Sequence, residues 1–245
     1  MSTNTTSVWR KKLKELEIVV VIPTYNNGKT LAAVIEEVCR YADDIIVVND
    51  GSTDDTANIL EQYPAIRTIT HPVNKGKGTA LKHGLSQAKK EGFRYAITID
   101  SDGQHFASDI PCFIEAIEKE PDTLLVGARN LASDNMPGKN TFANKFSNFW
   151  FRLETGLKLE DTQSGYRLYP LRKMDVQSCW YTAKYEFELE AIVFAAWGDV
   201  AVKNISIHVY YPPQAERVSH FRPFRDFTRI SVLNTVLVLI TCLWI

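Results

Sequence analysis

A chain of 245 residues, 45% hydrophobic and 23% charged, is long enough to close one sizeable core of its own. A formal net charge of -1 argues against a nucleic-acid partner. Four scattered cysteines (Cys39, Cys112, Cys179, Cys242) with no C-x-x-C pair argue against a disulfide frame or a zinc site and read as reduced cytosolic thiols.

Residues 1–16 are polar and then charged, with no apolar stretch of the kind a secretory signal needs. An apolar run at 17–22 predicts a first strand, followed by Pro23-Thr24-Tyr25-Asn26-Asn27-Gly28 and a helical pattern over 30–41. A second apolar run, 44–48, leads into Asn49-Asp50-Gly51-Ser52-Thr53 and a helix through 60. Residues 66–69 predict a third strand, followed by a Gly-rich loop and a helix over 78–90. The fourth strand, 94–99, runs into Asp100-Ser101-Asp102-Gly103-Gln104-His105. Ser108 or Asp109 caps the next helix, with Pro111 in its first turn, and 123–126 is a fifth strand. Short apolar strands alternating with helices predict a parallel sheet covered on both faces, whose ligands bind beyond the carboxyl ends of the strands. The loops after 22, 48 and 99 all fall at that edge.

The second half is less regular. Phe142, Phe146, Phe149, Trp150 and Leu153 follow helical spacing, and the stripe reads most simply as core packing. Residues 186–197 predict a further helix, and 204–210 alternate as a strand. Residues 230–245 carry no charge, but 16 residues fall short of the ~20 of a perpendicular membrane helix. Arg217, His220, Arg222, Arg225 and Arg229 precede them, opposed only by Glu216 and Asp226. A basic, aromatic lead-in to an apolar helix predicts a chain that meets an anionic membrane surface, with a buried terminal helix as the alternative. The division expected is a polar segment (1–16), a catalytic domain (17–211) and a basic juxtamembrane segment with an apolar helix (212–245).

Asp100 and Asp102 carry the strongest chemical signal. Residues two apart in extended backbone point the same way, so both carboxylates can converge on one hard cation past the strand end. With no histidine or thiolate expected among the ligands, such oxygen ligands suit Mg²⁺ or Mn²⁺, which usually keep places for phosphate oxygens. An Asp-Gly turn closing the strand is the plainer alternative. No G-x-G-x-x-G and no Walker lysine loop is present.

In their order and spacing, Pro23-Thr24-Tyr25-Asn26-Asn27, Asn49-Asp50-Gly51-Ser52, Asn74-Lys75-Gly76-Lys77-Gly78-Thr79-Ala80-Leu81 and the Asp100/Asp102 pair resemble family 2 glycosyltransferases. Gly127-Ala128-Arg129 and Thr162-Gln163-Ser164-Gly165-Tyr166-Arg167 are similar to motifs of that family's polyprenyl-phosphate branch, which dolichol-phosphate mannosyltransferase exemplifies. The resemblance implies an α/β fold of GT-A (Rossmann-like) type. It also implies inverting transfer of one sugar from a UDP- or GDP-sugar to a polyprenyl (undecaprenyl or dolichyl) phosphate at the cytosolic membrane face, with Mg²⁺ or Mn²⁺. It assigns the metal to Asp100 and Asp102, with Gln104 as a further ligand. The sugar donor falls to Pro23, Tyr25, Asn27, Asp50 (reading a ring N–H of the nucleobase), Gly76, Lys77 and Asp100. Arg129, Ser164 and Arg167, joined by Arg217 and Ser219, take the acceptor phosphate, and Asp102, Arg129 and Arg167 are the expected catalytic residues. Arginine's planar fork suits a phosphate. A phosphate oxygen is already ionised at neutral pH, so catalysis would be chiefly positioning and charge stabilisation.

The chain departs from the pattern in places. Asn27 replaces the Glu of P-x-Y-N-E, and Asn49 the first Asp of D-D-G-S. Glu188 stands where the mannosyltransferase branch usually has Gln, and Asn140 and Asn144 where its members carry an acceptor-binding Arg and Ser. A relative acting on a glycan or other hydroxyl would need a carboxylate base, for which Glu188 or Glu190 would serve. A catalytically silent nucleotide-sugar binder would be expected to have lost an aspartate, and a nucleotidyltransferase would carry a Gly-rich basic loop after its first strand. Neither mark is present.

Overall fold

A computed structural model describes residues 3–129, 138–176, 182–211 and 223–244. The predicted alternation builds a seven-stranded sheet ordered β3-β2-β1-β4-β6-β5-β7, with strands β1 (Ile18–Thr24), β2 (Ile45–Asn49), β3 (Arg67–Thr70), β4 (Tyr95–Thr98), β5 (Leu124–Arg129), β6 (Arg167–Pro170) and β7 (Val202–Ile207). All neighbours pair in parallel except β6, which is antiparallel to β4 and β5. The expected α/β sheet, mostly parallel, is therefore present.

β1 is buried along its whole length, and its alternation divides the core. Val19 and Val21 face a cluster with Leu81 and Leu85 of α4 (Lys77–Lys90) and Phe187 and Ile192 of α7 (Phe187–Trp197). Ile18, Val20 and Ile22 face the opposite cluster, with Leu31 and Ile35 of α2 (Gly28–Val38), Ile59 of α3 (Thr56–Glu61), and Phe113 and Ile117 of α5 (Ile110–Lys119). β-Branched runs buried on both sides, with helices above and below, are what parallel pairing demands. The carboxyl ends of β1, β2 and β4 lie side by side and hold the three loops singled out above.

Three elements differ from expectation. Residues 3–15 form a helix, α1 (Thr3–Glu15), which buries Leu13 against the second cluster. One leucine on a charged helix is too faint a stripe to read. β6 pairs Leu168 with Ile97 and Leu125, although its four residues look like the tail of a loop motif. The aromatic stripe of α6 (Gly138–Thr155) is not uniformly core: Phe149 is 61% exposed and Leu153 50%, Phe146 and Trp150 are half-buried, and the side chain of Phe142 lies outside the described residues. The helix buries Asn144, Ser147, Phe151 and Glu154 instead.

The terminal helix α8 (Pro223–Trp244) runs further than the uncharged stretch, because Pro223 to Arg229 join it. Its segment Arg225–Leu243 is long and apolar enough to cross a membrane, and only 22% of that segment is buried. Leu233 and Leu237 pack into the first cluster, while Val232, Leu239 and Leu243 stay exposed. Arg217 and Ser219, together with His220 and Arg222, lie outside the described residues.

Candidate active site

Hydrogen bonds stitch the three loops together at the carboxyl edge. Asn27 Nδ2 donates to Ser101 Oγ (2.8 Å), and Thr30 Oγ1 to the Ser101 carbonyl (2.6 Å). The backbone N–H of Asn26 donates to Ser52 Oγ (3.0 Å), and that of Thr53 to Asn26 Oδ1 (2.8 Å). Asn49 Oδ1 accepts from the Ser52 N–H (3.0 Å), which closes the second loop. Pro23 is buried within β1 beside Val48, and Tyr25 is half-buried in the loop that follows.

Asp50 is buried beneath the Gly-rich loop. Its Oδ1 accepts from the Lys75 N–H (2.9 Å) and from His71 Nδ1 (2.6 Å), and its Oδ2 from the Gly76 N–H (2.7 Å). His71 Nε2 lies 2.8 Å from Nδ1 of the exposed His83. Burial, then the neighbouring His71, pushes His83 below the ordinary histidine range. Asp50 therefore fixes residues 74–76 and keeps one lone pair for a further hydrogen bond. His71 has no periodic or motif signal in the sequence, so only the fold brings it to Asp50.

The two glycines of that loop make room for protein. Gly76 has φ +101°, and a Cβ there would lie 2.5 Å from the Ala183 carbonyl; at Gly78 it would lie 2.6 Å from that of Lys184. The turn leading into α7 thus packs directly on the start of α4.

The acidic pair lies just past β4. Lys77 Nζ is 2.8 Å from Asp100 Oδ1, 3.0 Å from Asp100 Oδ2 and 3.2 Å from Glu188 Oε2. Burial works against charge at Lys77, but Asp100 and then Glu188 outweigh it and raise its pKa. Burial also opposes charge at Asp100, and Lys77 overrides it and holds the carboxyl below its usual value. Asp102 is pushed up to about 6, first by burial and then by the charge of Asp100. Its Oδ1 accepts the backbone N–H of Gln104 at 3.0 Å, an Asx-type turn that aims the carboxylate. Burial brings His105 down to about 4, so it is neutral, and its Nδ1 has no partner.

Two close carboxylates, of which Asp100 raises the cost of ionising Asp102, are a fit for a divalent ion with hard-oxygen preference. Among the described residues no group of three or more His, Cys, Asp or Glu is arranged to hold a metal. The pair can supply only part of a coordination shell, which leaves positions for phosphate oxygens.

The expected acceptor residues separate. Arg129, at the end of β5, holds Asp161 through Nε (2.5 Å to Oδ2) and Nη2 (3.0 Å to Oδ1), and part of its side chain stays open. Burial opposes its charge, and the hydrogen bond to Asp161 more than compensates, raising its pKa. Arg167 is wholly buried: Nε donates to the Ser164 carbonyl (2.7 Å), Nη2 to that of Thr162 (3.0 Å), and Nη1 to that of Glu188. It braces the 162–166 loop against α7 from below and presents no surface to a ligand. Ser164 is buried as well, its Oγ accepting the Tyr166 N–H at 3.3 Å. Asn144 donates to the Glu160 carbonyl (3.2 Å), and the side chain of Asn140 lies outside the described residues. Glu190 is fully buried and accepts from Thr182 Oγ1. Asp161, the anchor of Arg129, carried no sequence signal.

A sequence profile for glycosyl transferase family 2 matches residues 19–176. The UDP-N-acetylglucosamine–dolichyl-phosphate N-acetylglucosaminyltransferase of Methanococcus voltae is 29% identical over 240 residues, spanning 89% of this chain and 96% of its own length. Dolichyl-phosphate beta-glucosyltransferase of Homo sapiens is 24% identical over 231 residues, spanning 82% and 69%. Among solved structures, glucosyl-3-phosphoglycerate synthase from Mycobacterium tuberculosis, crystallised with Mn²⁺, UDP and phosphoglyceric acid, superposes with a TM-score of 0.68 at 21% identity, covering 97% of this chain and 82% of that one.

Proposed function

This chain belongs to glycosyl transferase family 2, and on that premise we propose that it moves one sugar, with inversion, from a UDP- or GDP-sugar to a polyprenyl phosphate at the cytosolic face of a membrane. The observation that carries the reading is that the Asp50 loop, the acidic pair Asp100/Asp102 and the largely buried Arg129 share one edge of the sheet. The two named relatives act on dolichyl phosphate, which supports a lipid phosphate as acceptor.

A divalent ion (Mg²⁺ or Mn²⁺) held by Asp100 and Asp102 would stabilise the departing diphosphate as a Lewis acid. The chain's own residues do the rest. Asp50, with its remaining lone pair, accepts the ring N–H of the nucleobase while it holds residues 74–76. Arg129, kept rigid by Asp161, offers its free N–H groups to the acceptor phosphate. That phosphate oxygen is already ionised, so no side chain has to remove a proton. Arg167 and Ser164 support the loop beneath as positioning residues. The exposed apolar faces of α6 and α8 lie against the membrane, so the acceptor's tail stays in lipid while its phosphate reaches the edge of the sheet.

Radiolabelled UDP- and GDP-sugars, offered with undecaprenyl or dolichyl phosphate, test this directly. The label is expected to move into organic solvent only when metal, one of the two nucleotide classes and lipid phosphate are all present. A hydroxyl acceptor is the second reading, because Glu188 is buried in the site with Oε1 unpartnered and would be its base. Label appearing only in water-soluble product would favour it and sink the lipid reading.

A further inference from the structure

Asp100 is claimed twice. The reading above gives it to a divalent ion, yet both of its oxygens already contact Lys77 Nζ, at 2.8 and 3.0 Å. A lysine seated on both oxygens of a carboxylate blocks the approach of a second cation, so Lys77 has to move or the ion does not bind.

The surroundings provide somewhere for it to move. Glu188 Oε2 is already 3.2 Å from the same nitrogen, while Glu188 Oε1 is buried with no partner among the described residues. Glycine at 165 leaves the space: a Cβ there would stand 2.8 Å from Lys77 Nζ, 2.6 Å from Asp100 Oδ2 and 2.8 Å from Glu188 Oε1. Position 165 is itself anchored, since Thr98 Oγ1 of β4 donates to its carbonyl at 2.7 Å. The three chains of contact come from the start of α4, the end of β4 and the first turn of α7, so the cluster is built by the fold rather than by one loop.

Charge balance points the same way. Asp100, Asp102 and Glu188 outnumber the one lysine seated among them, so the cluster favours a further cation. Arg129 is balanced by Asp161, and Arg167, held on neutral backbone carbonyls, favours the charged form of Asp100, yet even with Arg167 counted the cluster stays net negative. Lysine suits a movable role because its ammonium is a point charge on a flexible stem with no fixed fork geometry to satisfy.

We propose that Lys77 is an internal counter-cation that neutralises Asp100 until a divalent ion arrives and then transfers to Glu188, which retains it in the site. Glu188 is on this view a positioning residue, holding the lysine where the diphosphate of the sugar donor comes to lie. The inference rests on the metal reading of Asp100 and Asp102 given above.

Mn²⁺ binding by the full-length, nucleotide-free protein, followed by electron paramagnetic resonance and calorimetry, tests it without turnover. Lys77→Met removes the competing cation, so Mn²⁺ should bind at least about tenfold more tightly than in wild type. Lys77→Gln should tighten binding in the same sense, and serves where the methionine variant does not fold. In the unaltered protein the Lys77 side-chain NMR signal should shift on addition of Mg²⁺ and stay protected from solvent exchange. In Glu188→Gln the same addition should expose it to exchange. Wild-type binding of Mn²⁺ with no tightening in either Lys77 variant, or a Lys77 signal indifferent to Mg²⁺, would overturn the proposal and leave the metal site standing. If wild type and both Lys77 variants bind no Mn²⁺, and Asp102→Asn is indistinguishable from them, the metal reading falls and takes the proposal with it.

Discussion

Among the described residues, two regions leave buried polar atoms without partners, and they do so for opposite reasons. Along the carboxyl edge of the sheet the unpartnered atoms are Thr24 Oγ1, Asn27 Oδ1, His105 Nδ1 and Glu188 Oε1. They surround a dense network in which Asp50 alone accepts three hydrogen bonds and Asp100 grips a lysine. In the α6–α8 layer the unpartnered groups are Asn144 Oδ1, Trp150 Nε1, both carboxylate oxygens of Glu154 and the whole amide of Asn234. There the helices also turn apolar side chains outward, with Leu239 58% and Leu243 84% exposed. An orphaned polar atom in a polar, preorganised network is a place where a ligand completes the bonding. Polar groups turned inward beneath an apolar outer face instead mark a layer whose outer neighbour is not water. On the proposed function, the first region is organised around a substrate, and the second around a membrane surface.

The largest effect expected in the substrate region comes from Asp102. Asp102→Asn keeps size and the Asx turn but removes half of the carboxylate pair, so kcat should fall by ~10²–10³-fold with an unchanged melting temperature. EDTA should abolish wild-type activity, and Mg²⁺ or Mn²⁺ should restore it. Undiminished turnover in chelator would break the substrate half of the comparison. Arg167→Ala ranks next, and its effect should fall on stability. Removing a buried guanidinium strands three carbonyls, at a cost of about 3–5 kcal/mol. Denaturant titration should show that loss. A stable variant with only a weakened lipid-phosphate KM would instead restore Arg167 as an acceptor contact.

How legible each region was in the sequence follows the same line. Strands β1, β2 and β4 could be read because β-branched runs ending in Pro-Thr-Tyr, Asn-Asp-Gly and Asp-Ser-Asp announce both the element and its edge. Asp50, Asp100 and Asp102 lie at the strand ends that their motifs announced, since a short loop fixed at a strand end leaves little freedom. Arg167 could not be judged, because one arginine in a loop motif looks the same whether it faces a phosphate or three carbonyls. Asp161 and His71 escaped notice because their partners are 32 and 21 residues away. Helix α6 misled for a physical reason: helical spacing of Phe149 and Leu153 fixes a common face but not which way that face points. Asn144, Ser147 and Glu154 on the buried side run against the usual inference from apolarity to core.

The surface region can be sharpened by charging its outward face. Leu153 and Leu239 are exposed, so Leu153→Glu with Leu239→Glu should leave the fold intact while removing apolar area from contact with lipid. Burial of one leucine is worth about 1.5–3 kcal/mol, so the double variant should lose at least about tenfold in liposome sedimentation. Activity on long-chain acceptors should drop with it, and activity on short soluble analogues should hold. Sedimentation equal to wild type would mean that the outward stripe meets something other than a bilayer.

The last effect, confined to higher pH, concerns the inward side of the same layer. Burial raises the Glu154 carboxyl to about 8, and neither of its oxygens has a partner. The folded chain therefore keeps this proton across a range in which the unfolded chain has released it. Stability from this group is present at low pH and declines as pH rises from the ordinary carboxyl range towards 8, by at most about 1.4 kcal/mol per pH unit. Glu154→Gln carries no titrating proton, so its melting temperature should match wild type near pH 5 and exceed it by up to about 10 degrees at pH 8. Its backbone carbonyl still accepts from Trp197 Nε1 (3.0 Å) and Thr241 Oγ1 (3.1 Å), so the link between α6, α7 and α8 survives the change. Melting curves that stay parallel from pH 5 to 8 would mean that Glu154 ionises freely. The inner side of the layer would then be wet, and the contrast with the sheet edge would rest on the outward leucines alone.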